Sequence, residues 1–66
     1  MDELQQAARE HRDAKATFET ARARLAEAIV TAARSGVRQT DIVRATGYTR
    51  ERVRQLCRDA GITPTD

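Results

Sequence analysis

Apolar positions along this chain recur at helical spacing, and nowhere do they alternate as the residues of a strand would. From Asp2 to Arg34 neither Gly nor Pro interrupts the run, and ten of its residues are alanine. High helix propensity without a breaker predicts one long helix, roughly 50 Å at about 1.5 Å per residue. Ser35-Gly36 supplies its stop, with Gly36 free to take the left-handed backbone that closes a helix. A second, short helix is expected over Gln39–Ala45, with Ile42 and Val43 at its centre, and Thr46-Gly47-Tyr48 breaks it. Thr49 is placed to cap a third helix, which runs to about Ala60 and carries Val53, Leu56 and Cys57 on one face. Gly61 ends that helix, Ile62 folds back against it, and Thr63–Asp66 reads as a flexible tail. The expected fold is all-α. Residues 1–34 form the long helix, 35–62 the two short helices, and 63–66 the tail.

The long helix carries a seam. Leu4, His11, Phe18, Leu25 and Ala32 recur every seven residues, and Ala7, Ala14, Ala21 and Ala28 follow three after each of the first four. This is an a/d heptad pattern with alanine at every d position, suited to a close helix–helix approach. A lone extended helix would leave Leu4 and Phe18 in water, whereas a second copy would cover them. Homodimerisation through Leu4, Ala7, His11, Ala14, Phe18 and Ala21 is therefore expected, with the parallel or antiparallel sense left open. His11 reads as a polar residue tolerated within the seam.

Size and composition narrow the chemistry. A chain of 66 residues and 7.4 kDa offers one small domain without room for an enclosed active site. Of its hydrophobic residues, 12 are alanine, so large apolar side chains are scarce. The single cysteine, Cys57, can form no intrachain disulfide, and with the single histidine, His11, it builds no metal site or nucleophile–base pair. Neither an enzyme nor a cofactor-binding protein is expected, and Cys57 reads as a small buried hydrophobe. No run approaches the roughly 20 apolar residues of a membrane span, and the acidic, polar start is unlike a secretory signal. The expected location is the cytoplasm, in association with the nucleoid if the chain binds DNA.

The run from Gln39 to Arg58, QTDIVRATGYTRERVRQLCR, resembles the helix-turn-helix of bacterial and phage DNA-binding proteins, the reading unit of many small repressors. The resemblance covers about 20 residues directly and about 40 with the end of the first helix. It implies that Ile42 and Val43 bury the second helix, that Gly47 makes the turn with Tyr48 behind it, and that Val53 and Leu56 seat the third helix. Leu25, Ile29, Val30 and Ala33, with Val37, would complete a trihelical core. Three positions depart from the pattern. Val43 stands where alanine is preferred, Thr46 replaces an aliphatic residue before the glycine, and Arg38 occupies the place of a capping Ser or Thr.

Charge is placed unevenly. Residues 1–34 carry six acids and six bases, whereas 35–66 carry six arginines against Asp41, Glu51, Asp59 and Asp66, a net of +2. Four of these arginines fall between Thr49 and Arg58. Arg50, Arg54 and Arg58 follow one another at four-residue steps, with Glu51 and Gln55 beside them, opposite Val53, Leu56 and Cys57. Arginine forks fit guanine edges and phosphates, glutamine can pair adenine, and glutamate can accept from cytosine. By resemblance to repressor complexes, Thr49, Arg50, Glu51, Arg54 and Gln55 are the candidates for base edges. Arg38, Gln39, Thr40, Arg44 and Arg58 are the candidates for phosphates, and Arg52 flanks the reading face.

The functional expectation is a homodimeric, sequence-specific regulator of transcription that reads a two-fold site on double-stranded DNA. Half-sites would lie about one helical turn apart or a multiple, and further apart if the long helices separate the reading heads. Two other readings use the same features. In one, the long helix docks on a larger partner such as polymerase and the chain is an adaptor. In the other, the chain binds DNA without sequence preference, as an architectural protein.

Overall fold

The computed structural model describes all 66 residues and is all-helical, with three helices and no strand. Helix α1 spans Asp2–Arg34, α2 spans Gln39–Thr46 and α3 spans Arg50–Asp59. The molecule measures 53 × 21 × 16 Å, and α1 sets its long dimension. None of the helices is long and apolar enough to cross a membrane.

The helices end where the backbone chemistry says they must. After α1, Gly36 takes φ +92°, and two hydrogen bonds close the helix: Gly36 N–H to the Ala33 carbonyl, and Val37 N–H to that of Ala32. The same paired closure ends α3, where Gly61 (φ +75°) bonds to Arg58 and Ile62 bonds to Cys57. Ile62 is thereby folded back onto the core. Helix α2 runs one residue beyond its expected end. The Thr46 hydroxyl donates to the Ile42 carbonyl at 2.7 Å and accepts the Tyr48 N–H at 3.1 Å, which braces the turn that an aliphatic side chain would only fill.

The core is small and lies at one end of α1. Ile29 and Ala33 of α1, Ile42 of α2, and Val53 and Cys57 of α3 are buried together, with Leu25, Ala32, Val43, Tyr48, Leu56 and Ile62 packed around them. Val53 and Cys57 have no exposed surface. Burial pushes the Cys57 thiol above its ordinary pKa. Val43, half-buried, is accommodated at the edge of this core.

Two expected wall residues lie elsewhere. Ile29 and Ala33, four apart, turn towards the short helices, and Val30, about 100° further round the helix, stays half-buried outside that core, beside Ala26, Thr31 and Arg34. Val37 follows the left-handed turn and stays 39% exposed. It lies on the rim of an apolar groove of about 160 Å³ between α1 and α2, lined among others by Leu25, Ala28, Ile42 and Ala45.

The tail also departs from expectation. Arg38 precedes α2 without giving it a side-chain cap. The Thr65 carbonyl instead accepts the Gln39 N–H, and Thr65 pairs with Arg38 as an isolated parallel bridge. A chain segment thus satisfies one of the free N–H groups at the start of α2, that of its first residue, and anchors the tail there through Thr65. At the other end of the molecule, the first two-thirds of α1 touches nothing. Leu4 is 63% and Phe18 60% exposed, and Ala7, His11, Ala14 and Ala21 are exposed with them.

Candidate nucleic-acid interface

Helices α2 and α3 are joined by Gly47-Tyr48-Thr49, and Gly47 carries the positive φ (+74°) that turns the chain. A Cβ built at Gly47 would meet no atom within 4 Å, so the demand for glycine is conformational and not steric. Thr49 then begins α3 by accepting the Arg52 N–H on its Oγ1 at 3.1 Å. That bond fixes the first turn of α3 and with it the direction in which Arg50 and Glu51 leave the backbone.

With Val53 and Cys57 facing inward, the outer surface of α3 presents Arg54 and Arg58, exposed, together with Glu51 and the half-buried Gln55. These side chains are tied to one another by weak surface contacts. Arg54 stands 3.6 Å from Glu51, Gln55 donates to Asp59 at 2.8 Å, and Arg58 reaches Gln55 at 3.5 Å. An exposed pair of this kind holds a side chain by about 0–1 kcal/mol, little enough to be exchanged for a polyanion. Arg50 leans the other way, towards α2, and its Nη2 donates to Thr40 Oγ1 at 3.2 Å. One candidate for a base edge and one for a phosphate are thus joined across the two helices. Arg52 lies outside this cluster, its guanidinium 6.0 Å from the centroid of the Tyr48 ring.

The expected phosphate contacts divide. Arg38, Arg44 and Arg58 are exposed and Thr40 is half-buried on the same side as Arg50. Gln39 does not fit its expected role: it is 1% exposed, beneath the C-terminal segment, with its side-chain Nε2 buried and unpartnered. It shares the inward face of α2 with Ile42, three residues on, and the Thr65 carbonyl accepts its backbone N–H. The same segment approaches α3, because Arg54 and Arg58 share a shallow concavity with Ile62, Thr63 and Pro64. The sequence gives no sign of this neighbour, since a short polar stretch after a glycine cap carries no pattern of its own.

No group of three or more His, Cys, Asp or Glu side chains stands close enough to hold a metal ion. Compared with known protein families, with curated proteins and with solved structures, the chain has no match.

Proposed function

We propose that this protein is a homodimeric, sequence-specific DNA-binding regulator, built as a long helix leading into a helix-turn-helix unit whose third helix reads the major groove. The observation that carries the reading is the outer face of α3. Arg54 and Arg58, with Glu51 and Gln55, project from a short helix whose opposite face buries Val53 and Cys57 completely and Leu56 in part. Side chains that recognise base edges by paired hydrogen bonds are thus mounted on a backbone that cannot roll. Arg50 and Thr40, linked across the turn, would meet phosphates and bases at the near edge, and Arg38 and Arg44 would hold the DNA backbone on either side of α2.

A single unit of this size makes few base contacts and would bind weakly, so two are needed. The exposed seam of α1 supplies the means to join them. With the reading units at one end of a helix some 50 Å long, half-sites are expected to lie wider than one DNA turn apart.

The test compares arginines on a duplex enriched from random sequence. Arg54→Ala should lower affinity for that duplex by roughly tenfold or more, the worth of a bidentate base contact, and relax the base preference at one position in each half-site. Arg52→Ala should cost less than Arg54→Ala and leave the preference intact. Equal losses from both, without a change in preference, would leave only a non-specific basic surface.

A further inference from the structure

Resting on the homodimer reading, we propose that two copies of α1 pack antiparallel about a two-fold axis near Ala16, seating Leu4 of each copy in the α1–α2 groove of the other. The seam itself favours this sense. In a parallel pair, a faces a and d faces d, so layers of two leucines, two histidines or two phenylalanines alternate with layers of two alanines. Helix axes pack at about 8–10 Å according to the residues between them, and one pair of helices cannot satisfy both extremes at successive layers. Voids at the alanine layers would forfeit contact energy. In an antiparallel pair a faces d, and each layer holds one large residue and one alanine at a constant, close separation.

Four antiparallel registers place a opposite d along about two-thirds of α1 or more, and charge and coverage select among them. Phe18 facing the partner's Ala28 would set Arg22 and Arg24 against their own copies and leave Leu4 uncovered. Phe18 facing the partner's Ala21 would bring Lys15 against the partner's Arg22 twice. Phe18 facing the partner's Ala7 would leave Leu25 and the groove uncovered. Phe18 facing the partner's Ala14 sets Glu10 beside the partner's Arg24 twice, related by the two-fold axis, and lays Leu4 on the partner's Ala28. Glu10 and Arg24 are available for this, since no residue of α1 takes part in an ion pair within the chain and Glu10 accepts only a long contact from Gln6, at 3.4 Å. The one like-charged meeting in this register, Lys15 with its own copy, lies at the exposed flank where salt screens it.

Ala28 is also where the groove begins. Leu25, Ala28, Ile29 and Ala32 form its α1 wall, and Val37, Ile42, Ala45 and Thr46 face them, with Asp41 as the one charged residue of the lining. At about 160 Å³ the groove is close to the size of an apolar cavity that accepts a benzene ring, and it is open along one side. An aliphatic side chain delivered along the seam would fill it and cover the exposed Val37. Each copy would thus brace the α1–α2 junction of the other, tying dimerisation to the placement of α3.

Disulfide trapping tests the arrangement, because Cys57 is fully buried and the unsubstituted chain serves as the control. Lys15→Cys and Thr17→Cys lie on either side of the two-fold axis and should each cross-link to their own copy under mild oxidation, while His11→Cys should not. The reverse pattern would establish a parallel pair and overturn the proposal, with the homodimer intact. A chain that sediments as a dimer but gives no cross-link at any of the three positions would also overturn it, because the interface would lie elsewhere. A chain that sediments as a monomer at all concentrations would remove the homodimer reading itself. As a second measurement, Glu10→Arg should weaken the dimer by roughly two- to thirtyfold, and adding Arg24→Glu should restore it. Restoration by Lys15→Glu in place of Arg24→Glu would point to the parallel pair.

Discussion

The small core makes Ile42→Ala the most informative single truncation. Ile42 is 4% exposed and sits where α1, α2 and α3 meet. Removing a buried isoleucine side chain to its Cβ costs about 2–5 kcal/mol, the loss of transfer energy plus that of the cavity left behind. A chain of this length has a total stability of about 3–10 kcal/mol at the usual value per residue. With only five buried hydrophobic side chains, the lower part of that range applies. The substitution therefore removes most of the free energy that holds α2 and α3 against α1. The assay is urea unfolding followed by far-ultraviolet circular dichroism at several protein concentrations, because a dimer adds a concentration-dependent term. Ile42→Ala should shift the whole transition to low urea. Phe18→Ala, which truncates a ring that is 60% exposed, should lower the concentration-dependent term alone. A loss below about 1 kcal/mol for Ile42→Ala would refute the packing described for α2.

Other outcomes follow from single bonds and angles. Gly47→Ala should cost about 1–2 kcal/mol through the left-handed backbone alone, and Gly47→Asn should recover part of it, as read from urea midpoints. Thr46→Val keeps the shape but deprives the Tyr48 N–H of its acceptor, so a loss of about 1–3 kcal/mol is expected; a neutral result would mean that water replaces the hydroxyl. Cys57 should react with a thiol reagent only as fast as the fold opens. Because burial raises its pKa, the native state holds the protonated thiol more tightly than the unfolded chain does. That contribution to stability is present below the unfolded thiol's pKa and is lost as pH rises through the folded value, so alkaline pH should lower the urea midpoint.

Much of the fold is legible because its signals are local. An alanine-rich run without Gly or Pro, three glycines at the required positive φ, and Thr49 before an apolar stripe mark every helix boundary to within about one residue. The inward residues of α3 follow from the same periodicity. What the periodicity does not carry is the distant partner. Nothing near Gln39 in sequence indicates that the carbonyl of Thr65, far along the chain, will accept its backbone N–H, whereas the burial of its side chain accords with its place three residues before Ile42 on the inward face of α2. Val30 and Val37 fail for a related reason. Apolar character gives the tendency to be buried, but the helix phase and the exit angle after Gly36 decide which side is covered, and the short helices cover only one. For the candidate interface, the positions of Arg54 and Arg58 follow from helical spacing, whereas the pairing of Arg50 with Thr40 required the crossing of α2 and α3.

The central claim is sequence-specific recognition of DNA by α3, and selection of binding sites from random duplex DNA tests it most directly. The enriched duplex and a scrambled control are then titrated at two salt concentrations. The account predicts enrichment of an inverted repeat, bound at least about a thousandfold more tightly than the control, with both affinities falling as salt rises. Equal binding to both duplexes, or binding to neither, would contradict it.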